Sequence, residues 1–221
     1  MLDFVERPAR SGKDRYVIFL LHGLGDSGEA FISLSEYFYS ISEDICFIAP
    51  DAPQQMSPGS YRWFALTDMA AIAEAIEESH GALCDFVDAQ IVRRGTDSEN
   101  VFLVGFSQGA MMSLYAGLRL NYDIGGIVSF SGLYPEPLAN CTSATRTPQN
   151  VLMIHSRGDD VVPYSFLIPS KKLLENFGAT VETHSCHNNS GHRALDYDCV
   201  RVAVNFIKNS MNSINHQPDQ L

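Results

Sequence analysis

Residues 101–109 read Val-Phe-Leu-Val-Gly-Phe-Ser-Gln-Gly, which sets Ser107 between two glycines directly after an apolar run. This is the sequence form of a nucleophile elbow. A hydroxyl at the tip of a tight strand-to-helix turn stands clear of its own backbone, and Gly105 and Gly109 remove the Cβ atoms that would clash there. A serine so presented attacks carbonyls, provided a base takes its proton and a carboxylate orients that base. Downstream, the strand-like run 151–155 leads into Ser-Arg-Gly-Asp-Asp-Val-Val-Pro, so Asp159 and Asp160 fall in a loop at a strand's carboxyl end. Four histidines follow: His184, His187, His192 and His216. His184 falls in a strand pattern and His216 in a polar tail. His187 and His192 share one loop, and His192 is preferred because it follows Gly191 and immediately precedes the last helical pattern. His155 ends an apolar strand and reads as a satisfied core histidine.

The tetrahedral oxyanion formed by such an attack needs backbone donors. The expected pair is the amide after the nucleophile, Gln108, and the amide of Leu24 in the glycine-rich loop 21–28 that follows an early strand. That loop matches neither GxxxxGK[ST] nor GxGxxG, so a phosphate cradle is disfavoured. Val161 and Val162, beside the acid, would complete an apolar wall. An acyl-enzyme route needs no metal or organic cofactor, and none is expected. The reading from a different class is a catalytically silent fold that binds a ligand or a protein. A silent homologue should have lost at least one member of the Ser, Asp, His order, which is intact here.

The elements that must carry these residues alternate along the chain. Runs 16–21, 46–49, 101–106, 126–130, 151–155 and 180–185 read as strands, with helical patterns between them, which implies an α/β chain with a mostly parallel sheet. Ile72, Ile76, Leu83, Phe86, Val87 and Ile91 mark one face of a long helix that Gly81 is expected to break in two. Residues 108–120 form an apolar helix after the nucleophile. A last helix is expected over 193–207, and 209–221 as a disordered polar tail beyond a single domain of residues 1–208.

With 45% hydrophobic residues, 221 residues suffice for one sizeable core. A net charge of −11 opposes binding to nucleic acid or to an anionic membrane surface. No apolar run approaches the length of a membrane span and no signal peptide is read at the N-terminus, so a cytoplasmic protein without stable membrane insertion is expected. The five cysteines, Cys46, Cys84, Cys141, Cys186 and Cys199, are odd in number and never in CxxC spacing. That pattern argues against a disulfide framework and against a zinc site, so no metal is expected.

The motifs His-Gly-Leu-Gly-Asp-Ser-Gly at 22–28, Ala-Pro-Asp-Ala-Pro at 49–53, Arg-Trp-Phe at 62–64 and Gly-Phe-Ser-Gln-Gly at 105–109 resemble those of the phospholipase/carboxylesterase family, which includes the acyl-protein thioesterases. The resemblance extends over about residues 15–207. It implies an α/β-hydrolase fold, a mostly parallel central sheet with helices on both faces. It singles out Asp159 over Asp160, from the spacing between His155 and Val-Val-Pro, and Gly191-His192 as the histidine motif. It also implies that the segment after residue 56 lines an acyl pocket, which makes Trp63, Phe64 and Leu66 binding candidates. Two positions depart from the family pattern: Ser156 follows His155 where glycine is common, and Arg193 follows His192 where a small polar residue is usual. A dienelactone-hydrolase-like enzyme resembles a cysteine-nucleophile pattern and is opposed by Ser107. The function implied is a soluble serine carboxylesterase, with acyl-protein thioesterase or lysophospholipase activity as variants sharing the triad. Its partner would be a small-molecule or lipid acyl ester or thioester, or an acylated protein. The oligomeric state stays open, with a homodimer one option.

Overall fold

The computed structural model describes residues 1–66, 69–135, 149–186, 191–193 and 195–216. Strands β1 (Phe4–Arg7), β2 (Tyr16–Leu21), β3 (Ile45–Pro50), β6 (Val101–Phe106), β7 (Gly126–Phe130), β8 (Asn150–Ser156) and β9 (Thr180–Cys186) form a sheet in the order β1-β3-β2-β6-β7-β8-β9. All its neighbours run parallel except β1, which pairs antiparallel with β3. A hairpin of β4 (Gln54–Ser57) and β5 (Ser60–Arg62) stands apart. The inner parallel strands β2, β3, β6 and β7 are buried on both faces, as their continuous apolar runs require.

Helices cover the two faces. On one, α2 (Met69–Arg94), α3 (Gln108–Gly117) and α4 (Leu167–Asn176) enclose a core that includes Val17, Phe19, Leu103, Met112 and Leu114. On the other, the short α1 (Gly28–Phe31) and α5 (Tyr197–Asn215) cover Ile18, Leu20, Phe102, Val104 and Ile154. The strand order reverses direction between β2 and β6, and open α/β sheets bind ligands outside the carboxyl ends of the strands at such a point. The loop after β2 and the turn after β6 are therefore side by side.

Three sequence expectations change. Gly81 does not break α2: a Cβ built there would meet nothing within 4 Å, so the glycine lies on an open face. Its propensity cost, about 1 kcal/mol relative to alanine, is outweighed by burial of Ile72, Ile76, Leu83, Phe86 and Val87. The last helix begins at Tyr197 and not at Arg193, because the Asp196 carboxylate accepts from the Cys199 amide and caps it. It then continues past residue 209 to Asn215, since Met211 and Ile214 extend the apolar stripe that Ile207 carries. Asn215 accepts from the Arg15 guanidinium at 2.6 Å and from the Tyr16 hydroxyl at 2.8 Å, which pins the helix end to the start of β2. Residues 217–221 lie outside the described ones.

Candidate active site

Between β6 and α3 the backbone of Ser107 takes φ 54° and ψ −115°, the strained conformation expected of an elbow. Its amide donates to the Phe130 carbonyl at 2.9 Å, which ties the turn to the end of β7. Two glycines make the turn possible by letting backbones touch. A Cβ on Gly105 would lie 2.3 Å from the Gly109 carbonyl oxygen, and one on Gly109 would lie 2.1 Å from that of Leu21. The first turn of α3 thus rests directly on the end of β2.

Ser107, Asp159 and His192 come from three different loops and meet in one hydrogen-bonded chain. His192 Nε2 lies 2.8 Å from Ser107 Oγ. His192 Nδ1 lies 2.9 and 3.0 Å from the two oxygens of Asp159. A carboxylate can only accept, so the Nδ1 nitrogen carries the ring proton and Nε2 is left as the acceptor facing the serine hydroxyl. Asp159 Oδ1 also accepts from the amides of Val161 and Val162, at 3.0 and 2.8 Å. The Asp159 side chain is buried, whereas Asp160 is exposed and faces Gly191. The geometry separates the two aspartates that adjacent numbering could not. His187, the other histidine weighed from the sequence, lies outside the described residues.

A cleft of about 300 Å³ opens at this chain, and Leu24, Leu66, Gln108, Val161 and Val162 all line it beside Ser107 and His192. Leu24 is 45%, Leu66 50% and Val161 64% exposed, so the rim of the cleft is apolar side chain left in contact with water. Gln108 opens α3, where the first amides have no acceptor within the helix and the helix dipole is positive. Leu24, from the loop after β2, lines the same cleft.

Trp63 and Phe64 do not line the cleft; both are wholly buried beneath it. They belong to the support. The Gln108 side-chain oxygen accepts from the Trp63 amide at 3.1 Å, its nitrogen donates to the Phe64 carbonyl at 3.0 Å, and the Trp63 indole donates to the His22 carbonyl at 2.9 Å. The Arg-Trp-Phe motif thus clamps the chain after β5 against the start of α3 and the loop after β2. Burial decides between lining and anchoring, and a sequence motif does not display it.

Four further residues shape the site and were not singled out for it. His22, wholly buried, makes a 2.7 Å contact between Nδ1 and the Gly23 carbonyl, and its Nε2 accepts from the Ala52 amide at 3.0 Å. Burial pushes this imidazole below its ordinary value and keeps it neutral, as that acceptor role requires. Ser131 donates to the His192 carbonyl at 2.9 Å, and Phe106 packs its ring 5.1 Å from the imidazole. His155 touches the acid itself, its Nε2 lying 3.3 Å from Asp159 Oδ2. An apolar strand followed by a polar turn was the available signal for His155.

The expectation of no disulfide is overturned: Cys186 at the end of β9 is bonded to Cys199 in α5, with Cα atoms 6.1 Å apart. The bond closes the segment that carries His192. Nothing in the spacing of the two cysteines marks them, because a disulfide is chosen by distance in space. Cys46 is buried as a thiol, and burial pushes it up to about 12, which makes it inert. Cys141 lies outside the described residues.

The family model for phospholipase/carboxylesterase matches residues 3–211. The chain belongs to that family. It is 32% identical over 170 residues to acyl-protein thioesterase 1 of Schizosaccharomyces pombe, covering 72% of this chain and 75% of that protein. It is 28% identical over 191 residues to a probable carboxylesterase of Oryza sativa, covering 79% and 70% respectively. The crystal structure of esterase PE8 superposes with a TM-score of 0.85 at 33% identity, covering 94% of this chain and 98% of that one. The fold is that of an α/β hydrolase, and this member of the phospholipase/carboxylesterase family is a carboxylic ester hydrolase. Among the described residues, no helix is long and apolar enough to cross a membrane.

Proposed function

We propose that this chain hydrolyses acyl esters or thioesters with Ser107 as nucleophile, His192 as base and Asp159 as the orienting acid. The observation that carries the reading is the unbroken contact chain from Asp159 through His192 to Ser107 at the mouth of an apolar cleft. Ser107 Oγ bonds to the acyl carbonyl carbon as its proton passes to His192 Nε2, and Asp159 stabilises the imidazolium so formed. The Leu24 and Gln108 amides hold the oxyanion until the leaving oxygen or sulfur departs with the proton from His192. Water, activated by the same histidine, then releases the acid and restores the serine.

The acyl chain would enter between Leu66, Val161 and Val162. A cleft of about 300 Å³ is at the small end of ligand sites, which favours short and medium acyl chains. Thioester cleavage on acylated proteins is the second reading, carried by relatives named acyl-protein thioesterase 1. The cytoplasmic location expected from the sequence meets a counter-observation in the Cys186–Cys199 disulfide, because such bonds persist mainly in oxidising compartments.

The deciding experiment is hydrolysis of p-nitrophenyl esters from acetate to palmitate beside a palmitoyl thioester and a lysophospholipid, with Ser107→Ala in parallel. Turnover by the wild type and its fall by about 10⁴-fold or more in the variant are the expected results. Equal rates in the two proteins would remove Ser107 from the chemistry. A wild type inert on all three substrate classes would favour a silent binding fold.

A further inference from the structure

His155 is the last residue but one of β8 and is 1% exposed. Its Nε2 lies 2.8 Å from the Val162 carbonyl oxygen and 3.3 Å from Asp159 Oδ2. Its Nδ1 is buried and has no hydrogen-bond partner among the described residues. A neutral imidazole has one N–H, and an Nε2 facing two oxygens that can only accept must carry it. The other nitrogen is then a buried lone pair without a donor, an arrangement that costs stability and that an apolar side chain of similar size would avoid. Packing does not account for the residue. What the Nε2 end holds does.

Asp159 is a fully buried carboxylate and needs donors on both oxygens. Oδ1 has the amides of Val161 and Val162, and shares His192 Nδ1 with Oδ2. Besides His155, the donor at Oδ2 among the described residues is His192, the residue whose position the carboxylate must itself set. Resting on the triad reading above, we propose that His155 is a positioning residue for the reaction: its Nε2–H, shared between Asp159 Oδ2 and the Val162 carbonyl, locks the acid-bearing turn to β8. The same lock places Val161 and Val162 along the cleft wall.

The test uses His155→Phe, His155→Gln and His155→Asn, each alone, and His155→Phe also combined with Asp159→Asn. Loss of a hydrogen bond to a buried charged group costs about 10- to 100-fold, so His155→Phe lowers kcat by that factor with KM changed less than about twofold. Glutamine, which can place an N–H near the Nε2 position, recovers most of the rate, and the shorter asparagine does not. In the Asp159→Asn background, adding His155→Phe changes the residual rate by less than about threefold, because the group through which it acts is gone. An unchanged kcat in folded His155→Phe, or an equal fold-loss in both backgrounds, overturns the inference. If His155→Phe does not fold, the glutamine and asparagine variants decide, and equal kcat in these two overturns it. Full activity in Asp159→Asn alone would instead remove the triad reading on which the inference rests.

Discussion

Ser107 sits on a turn held by residues within two positions of it and by the adjoining ends of β2 and β7, whereas His192 sits between β9 and α5 and is fixed by partners far along the chain. The elbow is held by backbone packed on backbone: Gly105 against Gly109, Gly109 against Leu21, and the Ser107 amide on Phe130. The histidine is held by side-chain chemistry: Ser131 on its carbonyl, Asp159 on its ring and the Cys186–Cys199 bond at the base of its loop. Close backbone packing leaves a single geometry. A loop gathered by a few bonds can be loosened one bond at a time, and the two regions should fail in different ways.

The largest effect is expected in the elbow. Gly109→Ala would force a methyl group into the Leu21 carbonyl, so loss of folded protein is expected, seen as loss of the cooperative circular-dichroism melt. A normally folded, active Gly109→Ala would show that the elbow tolerates more than its contacts suggest.

In the histidine loop, Cys199→Ser removes a cross-link between residues 13 apart in sequence. The expected loss is about 2–4 kcal/mol, and dithiothreitol should bring the wild type to the variant's melting temperature. A wild type whose melting and activity ignore the reductant would erase the contrast between the two regions.

A smaller effect belongs to the support of the loop after β2. His22 is held neutral by burial, below its ordinary value of 6.5, while the unfolded chain takes up a proton near 6.5. Its contribution is fully present above pH 6.5 and is lost as pH falls through the lower folded value. Melting temperatures between pH 8 and 5 should therefore fall more steeply in the wild type than in His22→Gln. Parallel profiles would show that another group sets the acid limb.

The smallest effect lies away from both regions. Gly81→Ala, on the open face of α2, should raise stability by about 0.5–1 kcal/mol, read as a small rise in denaturation midpoint with kcat unchanged. A fall would mean that α2 needs its glycine for a reason other than space.

Much of this site was legible in the chain because the chemistry it needs is local. The apolar run before Ser107 and the two glycines are within nine positions, with the helix pattern directly after them, and turn chemistry acts at that range. The loop at Asp159 and the glycine before His192 are of the same kind. The limits of α5 differ from the pattern because Asp196, inside the expected helix, is its cap, and because Met211 and Ile214 look sparse among polar neighbours until they are placed on one stripe. Trp63 and Phe64 were taken as pocket lining since aromatic residues serve linings and cores alike, and only burial separates the two.

The amino-acid sequence by itself determined the alternation of strands and helices, the elbow at Ser107 and the family, for these rest on periodicity and on turns a few residues long. The tertiary structure alone decided that Cys186 pairs with Cys199, that Trp63 and Phe64 lie beneath the cleft, and that His155 leans on Asp159. The reason is distance: a hydrogen bond or a disulfide is chosen by separation in space, and residues far apart in sequence acquire that separation only when the sheet brings the ends of β2, β6, β7, β8 and β9 together.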